Sequence, residues 1–143
     1  NILATLEILP LRARKRREKL YSVMDEFRIT HLEDKKAMVL SGGERRRVEI
    51  ARAFALEPLF FLLDEPFSGI DPITVGEIQQ LIKYISSKGV GIILSDHNVR
   101  DTLEVCDRAY LIHQGKILED GPPAHIAASE SARQFYLGPT FRF

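Results

Sequence analysis

Five consecutive apolar residues, Leu59-Phe60-Phe61-Leu62-Leu63, run directly into Asp64-Glu65-Pro66. A short uninterrupted apolar run fits a β-strand covered on both faces, as in a parallel sheet, and Pro66 forces the chain out of it. A second such run, Val90–Ser95, follows a stretch with Ile78, Leu81, Ile82 and Ile85 on one helical face, opened by Asp71-Pro72 and closed by Gly89. Strand, helix, strand in this order is an α/β layer with a parallel crossover.

The flanking segments are helical. Residues 1–9 place Ile2, Leu3, Leu6 and Leu9 at helical spacing, and Pro10 ends that helix. Arg12, Arg14, Lys15, Arg16, Arg17 and Lys19 open a second amphipathic helix over 13–28, with Leu20, Tyr21, Met24 and Phe27 on its apolar side and Tyr21 and Phe27 read as core. The basic run is either a solvated face or a contact for acidic groups on a partner or membrane surface. Ser41 followed by Glu44 is a capping-box pattern, and a helix runs from there to Leu56, ahead of Pro58. Beyond Val90–Ser95, the polar Asp96–Asn98 loop leads into a helix ending near Cys106. A hairpin, Ala109–Ile112 and Lys116–Leu118 around Gln114-Gly115, precedes two short helices over 124–128 and 131–137 and an aromatic tail, Phe141-Arg142-Phe143.

Composition excludes some functions. The 143 residues hold 20 Lys and Arg against 20 Asp and Glu, so no net field draws the chain to nucleic acid, and no run is long enough for a membrane helix. The single Cys106 forms no internal disulfide; its apolar surroundings read as a buried, quiet thiol in a reducing compartment. His31, His113 and His125 have no zinc-ligand spacing, and no Ser/His/Asp set stands in a nucleophile-elbow context. The chain opens without Met, as if inside a helix, which suggests a fragment.

Three places carry chemistry. Ser41-Gly42-Gly43 is a phosphate cradle at a helix N-terminus, where backbone N–H groups lack partners and glycines permit close approach, or else a plain turn and cap. Asp64 and Glu65 at a strand exit can divide phosphoryl transfer, one holding Mg²⁺ and the other orienting or deprotonating water; the alternative is a structural strand-end cap. His97 could donate to a phosphate oxygen beside Glu65, or be a polar loop residue.

Together, Leu40-Ser41-Gly42-Gly43-Glu44, the strand ending in Asp64-Glu65-Pro66, Ser68-Gly69-Ile70-Asp71 and His97 resemble four ordered motifs of the ABC-transporter ATPases, across essentially the whole chain. The resemblance implies the C-terminal part of a P-loop NTPase domain of ABC, RecA-like type. It would comprise a helical-subdomain portion over 1–58, an α/β core portion over 59–121 and C-terminal helices with a tail over 122–143. It implies ATP and Mg²⁺ as cofactors: Ser41, Gly42 and Gly43 in the signature motif facing the γ-phosphate held by the opposite subunit, Asp71 in the loop coupling the two sites, Asp64 on Mg²⁺ through water, Glu65 catalytic, and His97 as the switch histidine. The implied partners are a second copy of the ATPase subunit and transmembrane permease subunits, with the ATPase cytoplasmic and peripheral on the inner membrane.

The Arg-rich segment Glu44–Ala53, the loop Ser95–Arg100 and the ending Tyr136-Leu137-Gly138 with Phe141-Arg142 resemble the ATPases that power lipopolysaccharide export; branched-chain amino-acid importer ATPases are the alternative. His125 departs from both, which usually carry an acid there. DNA-repair and translation ABC proteins fit less well, because no coiled-coil insertion separates the Ser41 and Asp64 motifs. No G-x-x-x-x-G-K-[ST] occurs, so the 143 residues alone are expected not to hydrolyse ATP, and a truncated interaction module remains an alternative.

Overall fold

The computed structural model describes residues 1–138; the Phe141-Arg142-Phe143 tail lies outside the described residues. Helices α1 (Ile2–Leu6) and α2 (Ala13–Glu26) pack together and on α3 (Gly42–Phe54). Then come β1 (Phe60–Asp64), α4 (Pro72–Ser87), β2 (Gly91–Ser95) and α5 (Val99–Leu103). The hairpin β3 (Ala109–His113) and β4 (Lys116–Gly121) precedes α6 (Pro123–Ala128), α7 (Glu130–Ala132) and a single π turn over Arg133–Leu137.

β1 and β2 pair in parallel with Asp64 opposite Ser95, so both strands end at one level and deliver their following loops side by side. α4 makes the crossover. Asp71 caps it by accepting from the Ile73 and Thr74 N–H groups, Pro72 takes the first helical position and Gly89 turns out of it at φ 84°. Ile78, Ile82 and Ile85 of α4 are buried, each contributing roughly 1.5–3 kcal/mol of transfer free energy. They join Leu6, Met24, Phe27, Ile50 and Phe61 in one core, where Phe27 meets Phe54 with ring centroids 5.1 Å apart. A smaller cluster of Leu103, Leu111, Ile126 and Ala132 lies under the antiparallel hairpin. Gln114 and Gly115, both at positive φ, form the tight turn that the hairpin requires.

Several expectations need correction. β1 and β2 are not buried on both faces: Phe61 is buried, but Phe60 and Leu62 are 66% and 79% exposed and Ile93 is 61% exposed. Only one face of the two-stranded sheet joins the core, and among the described residues nothing covers the other. Helix α2 stops at Glu26, short of 28, because Arg28 turns left-handed at φ 54° and the Ile29 N–H closes back on the Met24 carbonyl at 2.8 Å. Phe27 is core, whereas Tyr21 is 42% exposed, its hydroxyl donating to Glu33 Oε1 at 2.8 Å. Cys106 is half-buried, and its burial still raises the thiol pKa. The helix expected over 131–137 divides into α7, capped by Ser129, and the π turn.

The basic run is partly engaged within the chain. Arg16 reaches the Leu11 carbonyl at 3.2 Å, Arg14 pairs with Glu18 at 3.5 Å, and Lys19 pairs with Glu57. His125 pairs with Glu119 at 2.8 Å, and Ser129 donates to the other oxygen of that carboxylate. Among the described residues, no helix is long and apolar enough to cross a membrane.

Candidate functional site

The capping box at Ser41 is complete. Ser41 Oγ accepts from the Glu44 N–H at 3.2 Å, and Glu44 Oε2 accepts from the Ser41 N–H at 2.8 Å. That backbone hydrogen bond, then Lys35 at 3.3 Å, holds the Glu44 carboxyl below its ordinary pKa. Ser41 and Gly43 line a depression of about 220 Å³, with His31, Glu44, Arg47 and Thr74 around it. The first-turn N–H groups of α3 and a serine hydroxyl are suited to an anion.

The glycines serve a purpose besides ligand approach. A Cβ at Gly43 would fall far inside contact distance of Thr74 Cγ2, and one at Gly42 would sit 3.2 Å from Ile70 Cγ2. The start of α3 is therefore seated on the Ile70-Asp71 turn and the first turn of α4 by the absence of two side chains. Thr74 completes the junction: its hydroxyl donates to Asp71 Oδ2 at 2.6 Å while its methyl faces Gly43. The Thr74 hydroxyl, followed by the Thr74 N–H, is the main reason that the Asp71 carboxyl lies below its usual pKa. An acid held low stabilises the fold above its unfolded pKa, and that contribution is lost as pH falls through the folded value. Thr74→Val should thus raise the Asp71 pKa in a carboxyl ¹³C titration and weaken the acid-side loss of stability; an unmoved titration would refute the assignment.

At the strand ends, Asp64 and Glu65 diverge. Ser95 Oγ donates to Asp64 Oδ1 at 2.6 Å, tying the carboxylate to the neighbouring strand. Glu65 has φ 44°, a left-handed conformation rare for a residue with a Cβ, held by its own N–H donating to the Ser95 carbonyl at 2.7 Å. The turn sends its exposed side chain to the loop after β2, where His97 Nδ1 lies 3.5 Å from Glu65 Oε1. The expected juxtaposition of Glu65 and His97 is present. The depression at Ser41 does not include them; the two groups of residues occupy different parts of the surface.

Sequence reading missed the residues that hold this arrangement. The side chain of Asp96 has no exposed surface; its Oδ2 accepts from the Phe67 N–H at 2.9 Å and its Oδ1 from the Asn98 N–H at 2.9 Å, pinning the loop after β1 to the loop after β2. The second bond is an Asx-type turn that Asp96-His97-Asn98 could have signalled; the first is long-range. Arg46 of α3 is the other, donating from Nη2 to the Glu65 carbonyl at 3.0 Å.

Asp64 and Glu65 offer hard oxygen donors on an exposed edge. Among the described residues no three His, Cys, Asp or Glu side chains converge on one point. The chain thus provides one or two carboxylates, the protein share that Mg²⁺ takes when phosphate oxygens and water supply the rest, so these residues fit that ion.

The ABC transporter family profile matches residues 2–68. Over 142 residues, 99% of the chain, the sequence is 53% identical to a probable ABC transporter ATP-binding protein of Azorhizobium caulinodans, covering 50% of that protein. It is 52% identical over 142 residues to the lipopolysaccharide export system ATP-binding protein LptB of Acidithiobacillus ferridurans and 48% identical over 143 residues to LptB of Escherichia coli K12. In each case 99% of the chain and 59% of the relative are covered. The chain therefore spans about half to three-fifths of the length of these curated relatives.

Among solved structures, cbiO1 from Clostridium perfringens, part of the cbiONQ ABC transporter complex, superposes with a TM-score of 0.83 at 28% identity, over 92% of this chain and 53% of that one. A nucleotide-free ATP-binding cassette from an ABC transporter gives 0.79 at 26% identity, over 90% and 52%. Over the residues it covers, the chain has the RecA-like α/β fold of the ATP-binding cassettes of ABC transporters and is similar in sequence to such proteins along 99% of its length.

Proposed function

We propose that this chain is the C-terminal portion of the ATP-hydrolysing subunit of a transporter that exports lipopolysaccharide from the inner membrane. The observation that carries the hydrolytic part is the meeting of Glu65 and His97, 3.5 Å apart at the ends of two adjacent parallel strands, with Asp64 beside them. The export assignment is supported by the 48–52% identity to proteins named as lipopolysaccharide-export ATPases along nearly the whole chain.

In this reading Glu65 accepts the proton of the attacking water as its oxygen bonds to the γ-phosphorus and the bond to the bridging oxygen of ADP breaks. His97 donates to a γ-phosphate oxygen and keeps the Glu65 carboxylate in place. Asp64, fixed by Ser95, would hold Mg²⁺, which when bound would supply charge neutralisation on the phosphates. Ser41, Gly42 and Gly43 close on the γ-phosphate held by a second copy of the subunit, and Asp71 couples the two sites across that dimer. The P-loop and its lysine are not among these 143 residues, so the chain alone does not turn over ATP and the rest of the subunit supplies them. Its remaining strands would also cover the bare face of Phe60, Leu62 and Ile93. Membrane permease subunits, on whose cytoplasmic side the ATPase sits, complete the transporter; nucleic acid has no part.

The test is complementation. The full-length protein that carries this chain should restore growth to a Gram-negative strain depleted of its own lipopolysaccharide-export ATPase, and its Glu65→Gln form should not. Failure to restore growth, with rescue of a strain lacking a branched-chain amino-acid importer ATPase, would overturn the export assignment and retain the ATPase.

A further inference from the structure

Glu65 presents its carboxylate from a peptide that is itself in an unusual conformation, so whatever fixes that peptide fixes the Cα–Cβ direction from which the carboxylate is aimed. At φ 44° Glu65 leaves the extended strand conformation. Pro66 follows and has no N–H to offer, so the turn has one backbone donor fewer to hold it. The carbonyl accepts two hydrogen bonds: from the Ser68 N–H at 3.2 Å, within its own turn, and from Arg46 Nη2 at 3.0 Å, from another element. Arg46 stands one helical turn beyond the Ser41-Gly42-Gly43 start of α3. Its other terminal nitrogen, Nη1, contacts Glu49 Oε2 at 3.2 Å, and its side chain is 28% exposed. The planar fork is thus held at one prong by its own helix and applies the other to the Glu65 peptide, a charge-assisted bond that a flexible ammonium reproduces less well.

We propose that Arg46 is a positioning residue for Glu65: it fixes the left-handed Glu65 peptide, and so the direction of the carboxylate, from the same helix whose N-terminus carries Ser41. This inference rests on the reading of Glu65 as the base that activates water. Arg46 touches neither water nor phosphate in it.

The experiment uses the full-length protein, with ATP hydrolysis and ATP affinity measured separately for Arg46→Met, Arg46→Lys and Glu65→Gln. A misdirected base lowers kcat and leaves binding alone, so Arg46→Met should lose about tenfold or more in kcat with KM and affinity for ATP within about twofold. Arg46→Lys, which keeps the charge and a donor, should recover part of that loss and also serves if Arg46→Met does not fold. Wild-type kcat in Arg46→Met, or in Arg46→Lys where only that variant folds, together with an inactive Glu65→Gln, would overturn the role of Arg46. A rise in KM at unchanged kcat would overturn it as well. Full turnover by Glu65→Gln would instead remove the premise, and the two failures are told apart by that variant alone.

Discussion

Glu65→Gln in the full-length protein is expected to retain Mg²⁺-dependent ATP binding within about twofold while turnover falls by about 10²-fold or more, the contribution typical of a positioned general base. The substitution keeps the size of the side chain and its place beside His97, and the elements that hold the peptide, the Ser95 carbonyl and the Arg46 guanidinium, act on the backbone and stay. What is lost is the negative oxygen that, in the proposed role, takes the proton from water. Radiolabelled nucleotide binding and phosphate release measure the two effects independently. Equal loss of binding and turnover would mean that Glu65 is structural, a strand-end residue whose charge matters to the fold and not to the reaction.

Gly43→Ala is the second large effect, and its origin is steric. The new methyl would collide with Thr74 Cγ2, while Thr74 Cβ and Oγ1 stand at 3.3 Å. Overpacking at such a junction costs about 1–3 kcal/mol, and here it would also push α3 off the Asp71 turn. The cause can be isolated because Thr74→Ser deletes the offending methyl and keeps the hydroxyl on Asp71. Gly43→Ala should lower the unfolding midpoint clearly in the Thr74 background and much less in the Ser background, a favourable coupling between the two positions in a double-mutant cycle. Additive losses would show that the glycine is needed for some other reason, such as the approach of a ligand.

The features legible in the sequence are those written in local chemistry. Ser41 with Glu44, Asp71 with Pro72, and Gln114-Gly115 each specify a cap or turn through neighbours a few residues apart, and each forms as its residue types require. The parallel pairing that carries Glu65 towards His97 was also readable, because two apolar runs joined by one amphipathic helix leave few arrangements. Coverage of the sheet was not. An apolar run records that a strand belongs away from water on both faces, but not which chain segments lie against it, and here Phe60 and Leu62 remain bare. Arg46 and Asp96 escaped for a related reason: Arg46 bonds a carbonyl 19 residues away and Asp96 an N–H 29 residues away, and neither partner has a side-chain signature. The glycines of the Ser41 turn were visible, yet whether they admit a ligand or a neighbouring helix depends on Thr74, which only the fold brings near.

In the proposed function one chain presents a hydrolytic edge, Asp64, Glu65 and His97, and a separate helix start, Ser41 to Gly43, each serving a different nucleotide in a pair of subunits. The most direct measurement is sedimentation of the full-length Glu65→Gln protein with and without Mg²⁺ and ATP. Nucleotide trapped between two copies predicts a shift from monomer to dimer that needs both ATP and an intact Ser41 turn. A protein that binds ATP yet sediments as a monomer throughout, or dimerises equally without nucleotide, would contradict it.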